Sequence, residues 1–294
     1  MQPFFSKTST ILARFVSARL SSRQRVEPDA STFSTSNLAV SYDHYFQSGL
    51  YGRRYPRFNP NVANLVQGLV TQGAIVLDFG CGDGRYIDPL LDAGASVIGY
   101  DISSVALESL SERYQAAIES GRLRTVGYAL DALERQVKPA SCDLVLLLFG
   151  VLGHIRGDAQ RIATLRALRT LLRPGGRLVV TVPNRRRRFG REQAACRDLI
   201  SGGNLEEGDI FYQRREAGVT IDMFYHLFSL ENFEDLLARA GFAVERMLPE
   251  SMMPERSVIQ MPAGAALDRA LMGLLPLHLA YGFAAVASPS DVRL

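Results

Sequence analysis

Short apolar runs recur along this chain, separated by longer stretches in which apolar and charged residues mix. Ala74 to Phe79 opens the series, and Phe242 to Met247 continues it late in the chain. Such runs, bounded by turn residues, predict buried strands. Pro56 and Pro60 mark a loop, after which helices are predicted over 62–70, 85–93, 104–119, 158–172 and 230–240. Gly241 closes the last of these as a C-cap. Strand and helix in alternation predict an α/β fold, a doubly wound sheet with helices on both faces. Ala265 to Leu277 is apolar, yet Asp268, Arg269 and Pro276 interrupt it. A helix packed on the sheet or at a subunit interface is therefore expected there rather than a membrane span, and no transmembrane segment is expected elsewhere.

The most specific chemistry follows the first strand. Val76-Leu77-Asp78-Phe79-Gly80-Cys81-Gly82-Asp83-Gly84-Arg85-Tyr86 reads as strand, glycine turn and helix start. Glycines at 80, 82 and 84 allow positive φ and let backbone approach a ligand with no Cβ in the way. A dinucleotide site would want a third small residue, so that a pyrophosphate reaches the helix N-terminus. Here Arg85 takes that slot, and Asp78 and Asp83 would repel a pyrophosphate. Their carboxylates suit a ligand that carries an ammonium and a sulfonium, which is S-adenosylmethionine.

The order strand, D-x-G-x-G-x-G, helix resembles the first motif of class I S-adenosylmethionine-dependent methyltransferases, and later segments extend the likeness over roughly residues 40 to 290. Val97-Ile98-Gly99-Tyr100-Asp101-Ile102-Ser103 is similar to the family's second strand, whose terminal acid accepts hydrogen bonds from the ribose hydroxyls. Leu130-Asp131-Ala132 resembles the motif that holds the adenine amino group. Cys142 to Phe149 looks like the fourth strand, and Leu171-Leu172-Arg173-Pro174-Gly175-Gly176-Arg177-Leu178-Val179-Val180 like the helix end, turn and fifth strand. The resemblance implies a Rossmann-like, seven-stranded sheet, mostly parallel with an antiparallel last strand at Ala280 to Ala287. It also implies a cofactor pocket built from Tyr45, Asp78, Gly80, Cys81, Gly82 and Gly84, with Asp101, Ile102, Asp131, Ala132 and Phe149. Bland alternatives attach to single residues: Asp101 is also a plausible helix N-cap, although Ser103 or Ser104 would free it, and an acid such as Asp131 is commonplace in an exposed loop.

Around Tyr42, Tyr45, Phe46, Tyr51 and Tyr55 the chain is rich in aromatics, which resembles the N-terminal cover that related enzymes fold over the cofactor. Aromatic faces attract a sulfonium by cation-π contact. The organisation expected is an N-terminal extension over 1–36 and a methyltransferase domain over 37–294. That domain would carry the cover at 37–60 and a substrate-lid insertion at 184–228.

Methyl transfer asks for an aligned nucleophile, exclusion of water and, for a protonated acceptor, a base. His154 lies just past the fourth strand, at the sheet edge where open α/β folds bind ligands. His226, with Tyr225 beside it, is the second candidate base, and His44 a weaker third. For His154 a bracing role on the following helix is an equal alternative. The insertion opens Asn184-Arg185-Arg186-Arg187-Arg188-Phe189, an arginine run that could hold phosphate or carboxylate on a substrate or form a solvated face. Phe149-Gly150-Val151-Leu152 lacks the Asn/Asp-Pro-Pro-aromatic pattern of base-amino methylating enzymes, and only Asn184 follows the fifth strand, where a catalytic magnesium would want a carboxylate.

The leading expectation is methyl transfer by in-line displacement to a small or lipid-like metabolite, O-methylation first, with no metal. A tRNA methyltransferase of the wobble-uridine type is the alternative, because Gly80 to Tyr86 and Phe224-Tyr225-His226-Leu227-Phe228 resemble such enzymes. A cofactor-binding accessory protein without turnover is the third. A net charge of +3 over 294 residues does not by itself point to nucleic acid. Cys81, Cys142 and Cys196 lack metal-ligand spacing and are expected to be reduced thiols. Residues 1–26 are basic, with no acid before Glu27, and read either as a mitochondrial transit peptide or as a plain extension. The location expected is accordingly cytoplasmic, or the mitochondrial matrix if that segment is a transit peptide.

Overall fold

Successive residues of a strand face opposite sides of its sheet, and that parity sorts the core of this protein. Along β1 (Ile75–Phe79), Val76 joins one apolar cluster while Leu77 and Phe79 join another. The first cluster receives α3 (Pro60–Gln67), α4 (Ile87–Asp92) and α5 (Ser104–Arg113), through Val62, Val66, Ile87, Leu90, Leu107 and Leu110. The second receives α7 (Leu130–Gln136), α8 (Asp158–Leu171) and α11 (Leu230–Arg239), through Leu133, Leu165, Leu168, Phe233 and Leu237. Helices therefore cover both faces, as the alternating pattern predicts. The computed structural model describes residues 35–216 and 218–290, which belong to one compact unit. The transit-peptide reading of residues 1–26 lies outside the described residues.

The remaining strands are β2 (Ser96–Tyr100), β3 (Leu123–Val126), β4 (Cys142–Leu147), β5 (Leu172–Pro183), β8 (Phe242–Ser251) and β9 (Gly282–Pro289), and the sheet order is β3-β2-β1-β4-β5-β9-β8. β9 runs antiparallel to both neighbours, and β1 to β5 pair in parallel. This is the mostly parallel, seven-stranded Rossmann-like sheet expected from the sequence. The strand order reverses between β1 and β4, so the crevice at their carboxyl ends is the place where such a sheet takes a ligand.

Several boundaries differ from the sequence reading. The helix expected over 104–119 is broken at Tyr114 into α5 and α6 (Gln115–Glu119), and the Tyr114 hydroxyl lies 3.3 Å from the Gly84 carbonyl. Within the insertion, β6 (Asp209–Glu216) and β7 (Val219–His226) form a separate antiparallel hairpin, preceded by α9 (Gly190–Ala195) and α10 (Arg197–Ser201). The apolar stretch near 265 becomes α13 (Gly264–Leu274), packed against α12 (Glu255–Gln260), β8 and α3. Asp268 anchors it. One of its oxygens accepts from Ser251 Oγ and the Met252 and Met253 N–H groups at 3.0, 2.8 and 2.9 Å, and the other from Asn61 Nδ2 at 2.9 Å. A buried carboxylate so paired is a structural device. Among the described residues no helix is long and apolar enough to cross a membrane, and the three cysteines are buried and unpaired.

Candidate active site

Three positive-φ glycines shape the turn after β1: Gly80 at 84°, Gly82 at 57° and Gly84 at 94°. The turn is fastened to the end of β2, because the Gly80 and Cys81 N–H groups donate to the Tyr100 carbonyl at 2.7 and 3.0 Å. The Gly82 N–H donates to Asp101 Oδ2 at 2.8 Å, while Asp101 Oδ1 accepts from the Ser103 N–H at 2.9 Å. Ser103, not Asp101, caps α5, through a 3.2 Å bond from the Ala106 N–H. Gly84 serves packing instead: a Cβ there would sit 2.8 Å from the Tyr114 ring.

Above this turn lies a cavity of about 770 Å³, within the range of small-ligand sites. Asp78 and Asp101 are buried in its wall. Burial, and then the repulsion of Asp101, pushes the Asp78 carboxyl up to about 7, and burial pushes Asp101 up to about 6 against three backbone N–H bonds that pull it down. Two carboxylates held out of water near a glycine turn call for a cation and for hydroxyl donors. Asp83 does not line the cavity.

Helix α1 (Thr35–Gln47) and α2 (Leu50–Arg54) roof one side with Tyr42, Tyr45, Phe46 and Tyr51. Asp43 holds α1 down, accepting from Ser103 Oγ at 2.6 Å, and the Phe46 ring lies over Gly82. The Tyr45 hydroxyl is buried with no partner in the protein. Arg85 sends its guanidinium across the crevice, pairs with Glu255, and lies 4.2 Å over the Phe149 ring.

The other side is roofed by the β6–β7 hairpin. Its register sets Ile210 opposite Tyr225, Tyr212 opposite Met223 and Arg214 opposite Ile221. These six residues share one face of the ribbon, and Tyr212, Arg214, Met223 and Tyr225 line the cavity. After β4, Phe149 and Gly150 take positive φ of 59° and 76°. A Cβ at Gly150 would meet the Tyr225 hydroxyl at 1.8 Å, so only glycine lets the hairpin close down here. His154 stacks on Tyr225 at 4.4 Å and meets the Tyr42 edge at 5.4 Å. Its Nδ1 is 2.9 Å from the Phe224 carbonyl, which can only accept, so Nδ1 carries the proton and Nε2 offers a lone pair. Burial, reinforced by Arg214 and Arg188, holds its pKa down to about 3 against that bond.

Of the residues expected at the site, Tyr45, Asp78, Gly80, Cys81, Gly82, Asp101, Ile102, Phe149, His154 and Tyr225 line this cavity. Four do not. Gly84 packs on Tyr114, and Ala132 is buried in the core. Asp131 is largely exposed and pairs with Arg135 one helical turn away at 2.6 Å, while its neighbours Tyr128, Ala129 and Leu130 reach the cavity. His226 faces away because it is adjacent to Tyr225 in a strand, and parity sends it to the opposite side of the hairpin. There its Nδ1 bonds Asp209 Oδ1 at 2.7 Å, and Glu206 joins through its N–H to Asp209 Oδ2 at 3.0 Å. These three side chains bring potential ligand atoms within 4.8 Å of one another, but the Arg161 guanidinium pairs with Glu206, so the group is knit into an internal network that ties the hairpin to α8. His44 is exposed. In the arginine run only Arg188 lines the cavity; Arg185 pairs with Glu207 at 2.7 Å and Arg187 bonds the Leu279 carbonyl. Tyr212 and Arg214 were not among the residues expected at the site, although the period-two pattern of 209–226 places them together. Nor were Glu250 and Tyr281, for which no local signal exists.

A profile for the methyltransferase domain matches residues 34–246. The chain belongs to this family. It is a class I S-adenosylmethionine-dependent methyltransferase, and its sheet is the Rossmann-like sheet of that fold. Over 195 residues it is 25% identical to tRNA (carboxymethyluridine(34)-5-O)-methyltransferase ALKBH8 of Mus musculus, covering 64% of this chain and 27% of that protein. Over 113 residues it is 33% identical to the ubiquinone biosynthesis O-methyltransferase of Albidiferax ferrireducens, covering 38% and 42%. The methyltransferase thus spans less than half the length of either relative. Among solved structures, the 1,6-didemethyltoxoflavin-N1-methyltransferase of Burkholderia thailandensis, which holds S-adenosylhomocysteine, superposes with a TM-score of 0.55 at 19% identity, covering 88% of this chain and 92% of that one.

The residues present fit this cofactor. The glycine turn gives close backbone approach, Asp78 and Asp101 offer buried acceptors, and the aromatic roof offers π faces to a sulfonium.

Proposed function

We propose that this methyltransferase transfers the methyl group of S-adenosylmethionine to an oxygen of a small acceptor enclosed beneath the hairpin. The carrying observation is the roof: α1 and the hairpin close over the crevice from both sides and leave a cavity sized for the cofactor and a compact acceptor. Bound S-adenosylmethionine supplies a methyl group already activated as an electrophile, so little covalent chemistry is asked of the protein. The aromatic roof excludes water, and the walls hold the acceptor in line. His154 is neutral at working pH, and its Nε2 lone pair can accept a hydrogen bond from an acceptor hydroxyl and orient the oxygen. A histidine whose pKa is held this low retains a proton poorly, which favours acceptor oxygens that ionise readily, such as a phenol or a carboxylic acid.

A second reading is favoured by the relative that methylates an oxygen of carboxymethyluridine in tRNA. Arg186, Arg187, Arg191 and Arg197 are exposed on the insertion and would meet a phosphate backbone. Incubation with methyl-labelled cofactor and, separately, a small-molecule extract and total tRNA tests both. Label in the small-molecule fraction alone supports the enclosed-acceptor reading. Label in tRNA, with RNA affinity that falls steeply with salt, would replace it by the second. Cofactor binding with no label in either fraction would favour an accessory protein without turnover.

A further inference from the structure

Two guanidiniums line the cavity beside the hairpin with no acid ion-paired to either among the described residues. Arg188 leaves the loop after β5 and lies 4.8 Å over the Tyr281 ring and 5.3 Å over Phe189. Arg214, on the cavity face of β6, lies 4.5 Å over Tyr212. Neither has a carboxylate within ion-pair distance among the described residues, whereas Arg85, over the Phe149 ring, pairs with Glu255. The Nε of Arg188 and the hydroxyl of Tyr45 are buried with no partner in the protein, so donors exceed acceptors here. Glu250 is the acid whose field reaches Arg188. Burial and the nearby Glu255 push its carboxyl up to about 7, so it only partly offsets the guanidiniums. Stacking on aromatic rings recovers part of the cost of enclosing two cations, but a full counter-charge is missing. Arginine forks are suited to carboxylate and phosphate oxygens.

We propose that the acceptor carries an anionic group, a carboxylate or a phosphate, that docks against Arg188 and Arg214 while its apolar part lies among Tyr212, Tyr225 and Phe149. This rests on the enclosed-acceptor reading above and narrows it to a substrate class. The hairpin and the loop after β5 thereby act as specificity elements.

The test uses the full chain saturated with S-adenosylhomocysteine and three probes of similar shape, benzoate, phenyl phosphate and neutral benzamide, followed by calorimetry or thermal shift. Benzoate or phenyl phosphate should bind at least about tenfold more tightly than benzamide, and the preferred anion identifies which group the site takes. Arg188→Met and Arg214→Met should each weaken that anion by at least about tenfold and leave S-adenosylhomocysteine affinity unchanged, which also reports that the variants are folded. Arg188→Lys and Arg214→Lys should keep part of the affinity, because charge survives and the fork does not. Benzamide binding as well as both anions, neither anion binding at millimolar concentration, or methionine variants that bind the anion normally would each overturn the proposal. Failure of the enclosed-acceptor reading looks different: label would appear in tRNA rather than in small molecules, whatever the probes do.

Discussion

Asp78 and Asp101 should make cofactor binding a proton-releasing event near neutral pH. In the ligand-free fold their carboxyls titrate at about 7 and about 6, against about 4 for a free aspartate. Between those limits the folded protein holds protons that the unfolded chain has lost, so ligand-free stability falls as pH rises from about 4 to about 7. A ligand that brings positive charge to Asp78 and hydroxyls to Asp101 binds the ionised pair, so its affinity rises across the same window. From pH 5.5 to 7.0 the ionised fraction of a group with a pKa of about 7 climbs from about 0.03 to about 0.5, roughly sixteenfold. Asp101 adds about a further fourfold, so the dissociation constant of S-adenosylhomocysteine should fall on the order of fifty-fold, about 2 kcal/mol. This window stays below the titration of an α-amino group near about 8, so the ligand keeps its ammonium throughout. Isothermal titration at several pH values, in two buffers of different ionisation enthalpy, gives the affinity and the number of protons released. About one proton should leave per ligand bound near pH 6.5, and Asp78→Asn should flatten most of the pH dependence. A dissociation constant that stays within about twofold from pH 5.5 to 7.0, with no buffer dependence, would show that the two aspartates do not take up the ligand in their ionised form.

His226→Ala should cost about 1–3 kcal/mol by denaturant unfolding, because Asp209 loses a buried partner, yet leave S-adenosylhomocysteine affinity unchanged in a binding titration. Asp131→Ala should alter neither stability by more than about 0.5 kcal/mol nor the cofactor dissociation constant, since its partner is an exposed arginine; a tenfold loss of affinity, about 1.4 kcal/mol, would return it to the adenine site. Gly84→Ala places a Cβ against Tyr114 at a positive φ and should destabilise the fold by about 2–4 kcal/mol in the same unfolding assay.

The site divides into a half that local sequence specifies and a half that it does not. Turn chemistry is local: glycines at 80, 82 and 84 with Asp78 before them determine both the backbone path and its fastening to β2, so the cofactor side could be read without a structure. Asp131 shows the limit of that reading, since Tyr128, Ala129 and Leu130 reach the cavity while Asp131, the second residue of α7, turns outward to Arg135. On the acceptor side every useful residue depends on pairing between distant segments. Tyr225 faces the cavity and His226 the second network only because β7 is a strand in a specific register with β6, and a helical or irregular reading of 209–226 loses that distinction. Arg214 and Arg188, separated in sequence, both approach the Phe189 ring, at 6.0 and 5.3 Å, and Gly150 has no side chain to keep Tyr225 and the hairpin away from the loop after β4. The arginine run is dense, yet three of its four members lie on the surface or bond backbone and acidic partners. The charge that matters for an acceptor comes from one member of the run together with Arg214, opposite Ile221 in the hairpin.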